Sequence, residues 1–330
     1  MGELIMLRRR AVCGDATPHA RGRTAFARSM STESGYPLET MPPNETVTAL
    51  LAKNKDKIQY IGLKNGKITQ IRNILSNAKP NPEKLFVAEG IWAHMKILDA
   101  KVKNRVRVRS FLFCPECVRS PEAAGILEAM LGLCGDVYAV SERVFEKLSE
   151  RDRIDGLLSL CLLPEYDLGG IAANLGGDAI VAVADGLEIP GNLGTIMRTC
   201  DGAGIDAVLL CNRRIRLTHP KFIKGSMGAA FAVPFAEAGS AGECMAWLKA
   251  NGFALYLADT RAEKSYREYA YAGRTALIVG SEKYGISKEW YTPEARLLSI
   301  PMLGICDSLN VGVASSIILY EMSMRLRTSC

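Results

Sequence analysis

Histidine is scarce in this 330-residue chain. There are three, His19, His94 and His219, and no His-Glu-x-x-His pair. The single Cys-x-x-Cys, Cys114-Pro-Glu-Cys117, has no second pair nearby to complete a tetrahedral zinc site. No metal is therefore expected. No apolar run reaches the roughly 18 residues of a membrane-spanning helix, so no membrane partner is expected either. The phosphate-loop pattern G-x-x-x-x-G-K-[ST] is missing, as is the G-x-S-x-G elbow of serine hydrolases. Gly202-Ala-Gly204 follows an expected helix instead of a strand, so it is not a dinucleotide fingerprint. The ten cysteines are scattered, mostly in apolar surroundings such as Cys161, Cys200 and Cys211, a usage that suits reduced thiols in the cytoplasm.

The chain is 48% hydrophobic and 23% charged, which suits a globular protein with room for two domains. Its net charge of +6 is unevenly spread. In residues 1–30, six arginines face only Glu3 and Asp15. That is the composition of a mitochondrial or plastid transit peptide, or of a tail ahead of a start at Met30 or Met41. Between residues 53 and 109, fourteen Lys and Arg face four acids, with Asn and Gln interleaved. Such a block suits the phosphate backbone of a nucleic acid. Lys64, Lys67, Arg72, Lys101, Lys103 and Arg105 are its candidate contacts.

The apolar pattern predicts an α/β protein. Residues 58–78 have helical spacing, and Leu85–Ala88, Ser110–Cys114 and Val137–Val140 read as strands with helices between them. This gives an extension over 1–50, a small α/β domain over 51–165, a Gly-rich linker over 166–177 and a second α/β domain over 178–330. In the second domain Ala179–Ala184, Ala207–Cys211, Phe253–Ala258 and Thr275–Val279 are apolar runs suited to buried parallel strands, and Leu297–Ile300 reads as a further strand.

Gly-containing loops follow three of these strands, at Asp185–Asn192, Gly280–Gly285 and Pro301–Leu309. Ligands of parallel α/β sheets collect at the C-terminal ends of strands, so the three loops can converge on one pocket. The third carries Asp307, Ser308 and Asn310 at the entrance of a small-residue helix, with Ser308 as the expected cap. Such an entrance would hold a ligand through backbone and amide groups.

The three loops together resemble the motifs of the SpoU (TrmH) RNA methyltransferases. Asp185-Gly-Leu-Glu-Ile-Pro-Gly-Asn192-Leu-Gly-Thr-Ile-Met-Arg198 is similar to the first motif. Leu277-Ile-Val-Gly280-Ser-Glu282-Lys-Tyr-Gly285 is similar to the second, and Ile300-Pro-Met302 with Ser308-Leu-Asn310 to the third. The resemblance covers about 178–326. It extends less sharply into 55–165, which looks like the substrate-binding domain of the ribosomal-RNA members. Asp307 stands where the family often has Glu, and Gly312 where Ser is usual.

This resemblance implies a trefoil-knotted domain, a homodimer with shared active sites, and S-adenosylmethionine as methyl donor. By the motif match Ile278, Val279, Gly280, Ile300, Met302, Ser308 and Leu309 would contact the cofactor. Arg198, Asn192, Glu282, Ser308 and Asn310 would be the catalytic set, with Arg198 central and the others orienting it and the ribose. The implied reaction is methylation of a ribose 2′-hydroxyl in structured RNA, most readily large-subunit ribosomal RNA. A transfer-RNA substrate and a catalytically silent RNA-binding homologue are the alternatives. Arginine stays protonated in proteins, which favours phosphate clamping by Arg198 over action as a base.

Overall fold

Two α/β layers follow one another along the chain. The computed structural model describes residues 43–99, 102, 105–149 and 154–328. The basic N-terminal stretch, Lys101 and Lys103 lie outside the described residues. The first layer comprises α1 (Pro43–Lys53), β1 (Ile58–Tyr60), α2 (Gly66–Ser76), β2 (Leu85–Glu89), α3 (Gly90–Leu98) and β3 (Arg107–Phe113). It continues through α4 (Pro121–Leu133), β4 (Val137–Ala139), α5 (Glu142–Phe145) and β5 (Leu157–Leu162). The sheet order is β1-β4-β3-β5-β2, with β1, β4 and β3 parallel and β5 antiparallel to both its neighbours.

This layer departs from the sequence expectation at three points. The single helix expected over 58–78 is divided. Asn65 takes extended backbone and its side chain accepts the Lys67 N–H at 2.8 Å, so the helix can begin only at Gly66. Ile58 instead pairs with Val137 in the sheet. Second, β5 is a strand with all six residues buried, whereas the apolar pattern predicts no element between Val140 and the domain's end at 165 beyond a helix. Third, α1 begins ahead of the expected boundary at 51, and its Val47 and Leu50 are buried in the core.

The topology also separates the basic candidates. Lys64 follows the C-terminal end of β1, whereas Arg105 precedes the N-terminal end of β3. Since β1, β4 and β3 run parallel, the two lie at opposite ends of the sheet, roughly 20 Å apart at strand rise. Lys64, Arg72 and Arg105 are exposed, and Lys67 lies half-buried over the Tyr138 ring.

The second layer comprises α6 (Leu168–Ala173), β6 (Ala179–Asp185), α7 (Pro190–Ala203), β7 (Ala207–Cys211), α8 (Pro220–Ser226), α9 (Ala229–Ala232) and β8 (Phe235–Glu237). It ends with α10 (Ala241–Ala250), β9 (Ala254–Ala258), β10 (Arg274–Gly280), β11 (Arg296–Leu298) and α11 (Val311–Thr328). All six strands are parallel, in the order β11-β9-β10-β6-β7-β8. Every residue of β6 and β7 is buried, as helices on both faces require. The expected linker over 166–177 contains α6. Its Ile171 is buried, and the Leu168 carbonyl accepts Trp247 Nε1–H at 3.2 Å. That stretch is packed structure instead of a free connector.

β10 inserts between β6 and β9, and after the edge strand β11 the chain returns so that α11 packs on α7. Thr199 Oγ1 meets Ser316 Oγ at 2.6 Å, and Ser323 Oγ donates to the Ala203 carbonyl at 2.6 Å. This path fits the trefoil knot. The two layers share a core. Phe86 of β2 stacks on Phe231 of α9 with centroids 5.3 Å apart, and Arg216 Nη1 donates to the Lys79 carbonyl at 2.9 Å.

Candidate functional site

The loop after β10 is closed by its own backbone. Ser281 N–H donates to the Gly285 carbonyl at 3.0 Å, and Gly285 N–H returns a bond to the Ser281 carbonyl at 2.8 Å. A Cβ at Gly280 would lie 2.2 Å from the Gly285 carbonyl carbon and oxygen. Glycine is required there because the loop folds back on it, a packing demand separate from the cofactor contact that the motif match implies. The Ser281 hydroxyl accepts the Lys283 and Tyr284 N–H groups, each at 3.2 Å, which fixes the loop's tip.

Three motif side chains form a relay across the loops. Asn192 sits in the first turn of α7, which Pro190 opens. Its Nδ2 donates to Glu282 Oε1 at 2.6 Å, and its Oδ1 accepts Asn310 Nδ2–H at 3.1 Å. Asn310 Oδ1 accepts the N–H groups of Gly312 at 2.9 Å and Val313 at 3.4 Å. Asn310 therefore caps α11, not Ser308, which lies two residues too early to reach those donors. Both Asn amides are committed in fixed orientation. Asp185 is equally committed. It accepts Asn212 Nδ2–H and the Ser287 N–H, both at 2.7 Å, and so ties the ends of β6 and β7 to the loop after β10.

These loops enclose a cleft of about 860 Å³. Val279, Ile300, Met302, Leu309 and Ile318 give it an apolar wall, and Asn192, Glu282, Ser308 and Asn310 stand at its polar side. Of the residues that the motifs assign to the cofactor, Val279, Gly280, Ile300, Met302, Ser308 and Leu309 line it. Ile278 does not. Strand alternation turns it to the opposite face of β10, where it is fully buried with Ile286 and Trp290.

Arg198 is also apart. It is exposed on α7 and is not among the cleft's lining residues. Six residues of α-helix separate it from Asn192, which turns the two side chains about 120° away from each other. Within one chain the relay orients Asn192 and Asn310 but does not orient Arg198, contrary to expectation.

The structure adds a group that the motifs do not include. Asp259, directly after β9, accepts Arg261 Nη2–H at 2.9 Å, Arg261 Nε–H at 3.1 Å and the Tyr291 hydroxyl at 2.6 Å. The Arg261 guanidinium, helped by the Tyr291 hydroxyl, holds its carboxyl down at about 2. All three residues line the cleft. The strand-end rule that identified the other loops applies equally to β9 and points to this one. Among the described residues no group of three or more His, Cys, Asp or Glu is placed to hold a metal ion.

Residues 179–320 match the SpoU rRNA Methylase family. Over 185 residues the chain is 30% identical to the 23S rRNA (guanosine(2553)-2′-O)-methyltransferase RlmP of Bacillus subtilis, a match covering 56% of this chain and 71% of that protein. Curated relatives are matched over 57% to 71% of their length. The crystal structure of an RNA 2′-O ribose methyltransferase superposes with a TM-score of 0.65 at 30% identity, covering 82% of this chain and 100% of the other. The SpoU methyltransferase AviRb of Streptomyces viridochromogenes, in complex with AdoMet, shares the fold with a TM-score of 0.69 at 24% identity, over 81% of this chain and 99% of that one.

Proposed function

The chain belongs to the SpoU rRNA methylase family, and from that membership we propose that it methylates ribose 2′-hydroxyl groups of large-subunit ribosomal RNA with S-adenosylmethionine. The observation that carries this reading is the Glu282–Asn192–Asn310 relay beside an apolar cleft. The donor set fits an adenosine-bearing ligand. Apolar side chains at Val279, Ile300 and Leu309 suit the faces of a purine, and the backbone of the strand-end loops can read its edge. When bound, S-adenosylmethionine supplies an electrophilic methyl group on a positively charged sulfur.

The chain's own task is alignment of the hydroxyl for direct displacement, which can supply much of the barrier reduction. Asn192 and Asn310, held by Glu282 and by the start of α11, present rigid amides toward the ribose. Ser308 lies free of the capping role and faces the same cleft. Arg198 clamps the phosphate next to the reacting ribose. Since it stands outside its own cleft, its target is the cleft of a second copy in a homodimer. Val313, Tyr320 and Met324 expose apolar surface on α11 at 46%, 43% and 50%, which suits burial against a partner helix. The reaction belongs where the ribosomes are, in the cytoplasm.

Residues 43–165 serve as the RNA grip. Changing Lys64, Lys67 and Arg72 together to Gln is expected to weaken RNA binding and to lower the slope of log affinity against log salt by roughly two to three. Filter binding across a salt series measures this. An unchanged slope would take these residues out of the interface.

The test of the reaction itself is incubation of the full chain with S-adenosylmethionine and large-subunit ribosomal RNA, followed by sequencing-based mapping of ribose methylation. A new 2′-O-methyl at one nucleotide is the expected result. A methyl on a base, or none, would overturn the reading.

A further inference from the structure

We propose that Tyr284 is a stacking platform for a nucleobase of the RNA substrate beside the ribose to be methylated. The inference rests on the methyl-transfer reading above. Tyr284 is 62% exposed, yet it stands at the cleft two residues beyond Glu282, on a loop whose tip the Ser281 hydroxyl fixes. A ring so open contributes little to folding.

Its surroundings are cationic. The Arg214 guanidinium carbon lies 5.3 Å from the ring centroid and the Lys283 ammonium 5.0 Å. Both are within cation–π range. Arg214 is anchored, since its Nη1 donates to Glu188 Oε1 at 2.6 Å and the Glu188 N–H donates to Glu282 Oε2 at 3.3 Å. The platform is thereby connected through Glu282 to the Asn192–Asn310 relay. Lys283 has no carboxylate partner among the described residues, so its ammonium can leave the ring for a phosphate as a base arrives. An aromatic face next to two cations matches a nucleotide, with the base on the ring and the phosphates on the charges. A bare phosphate would use the cations alone. An aromatic over the adenine of the methyl donor would sit deeper and less exposed.

The experiment compares Tyr284→Ala, Tyr284→Leu and Tyr284→Phe in the full chain. Methylation of large-subunit ribosomal RNA is measured beside S-adenosylmethionine affinity by calorimetry. Loss of stacking should lower kcat/KM roughly five- to 150-fold in the Ala and Leu variants, with cofactor affinity unchanged. Phe should retain turnover. A short RNA carrying 2-aminopurine next to the mapped ribose should show quenching with the unaltered chain and with Phe, and none with Ala. Ala or Leu turning over like the unaltered chain would overturn the proposal. So would a matching loss of cofactor affinity, which would make the ring a lid on the methyl donor. If the unaltered chain binds S-adenosylmethionine but methylates no RNA, the underlying reading fails, and the platform with it.

Discussion

Alanine at Gly280 is expected to cost the protein its S-adenosylmethionine site. The added methyl group would lie 2.2 Å from the backbone of Gly285, far inside contact distance, and neither strand nor loop has a flexible side chain there to yield. β10 is held on both sides, by β6 and by β9, so the loop must move. Opening it breaks the paired Ser281–Gly285 backbone bonds and shifts Glu282, whose carboxylate anchors Asn192. Overpacking of this kind costs about 1–3 kcal/mol, and each 1.4 kcal/mol falling on the cleft weakens cofactor binding about tenfold. Gly285→Ala is the graded control. Its φ of +72° is unfavourable for alanine, but no atom lies within 4 Å of the added methyl. That change should cost only about 1–2 kcal/mol of backbone strain. Calorimetry with S-adenosylmethionine and thermal unfolding of both variants measure the two effects. A Gly280→Ala chain that binds the cofactor normally would show that the loop is softer than its bonds imply.

The loops that line the cleft were legible in the sequence because they obey a local rule. Apolar strand runs ending in Gly-containing segments mark the C-terminal edge of a parallel sheet, and three such segments do meet at one cleft. What stayed hidden depends on register and on rotation about helices. Ser308 and Asn310 are both capping residues by composition, and only the observed start of α11 at Val311 decides for Asn310. Ile278 and Val279 are equally apolar neighbours, yet the pleat sends one to the core and the other to the cleft. The run 58–78 matches helical spacing until Asn65 competes for the backbone and divides it. The Asp259–Arg261–Tyr291 group joins residues 32 positions apart in sequence, a pairing that no local pattern encodes. Domain limits were blurred for a related reason. The two layers share one core through Phe86 and Phe231, so composition marks a linker where the structure has a packed helix.

Replacing Arg198 by alanine is expected to lower methyl transfer by about 100- to 1,000-fold, the loss typical of removing one preorganised donor from a charged transition state. Cofactor affinity should stay unchanged, because the side chain lies outside the cleft. The sharper test uses two inactive chains. Glu282→Ala removes the anchor of the relay and leaves Arg198 in place. If each site combines the cleft of one chain with Arg198 of the other, a mixed dimer holds one intact site and one doubly altered site. Random mixing in equal amounts makes half the dimers mixed, so about a quarter of normal activity should return. If Arg198 serves its own cleft, every site in the mixture keeps a lesion and activity stays at background. Arg198 is turned about 120° from Asn192 on a straight helix, and bringing both to one ribose within a single chain would require unwinding α7. That helix is fixed on one side by Gly194 packed on the backbone of α8, and on another by the Thr199–Ser316 bond to α11. Recovery of activity on mixing is therefore the expected outcome, and a mixture as inactive as its components would move Arg198 out of the partner's site.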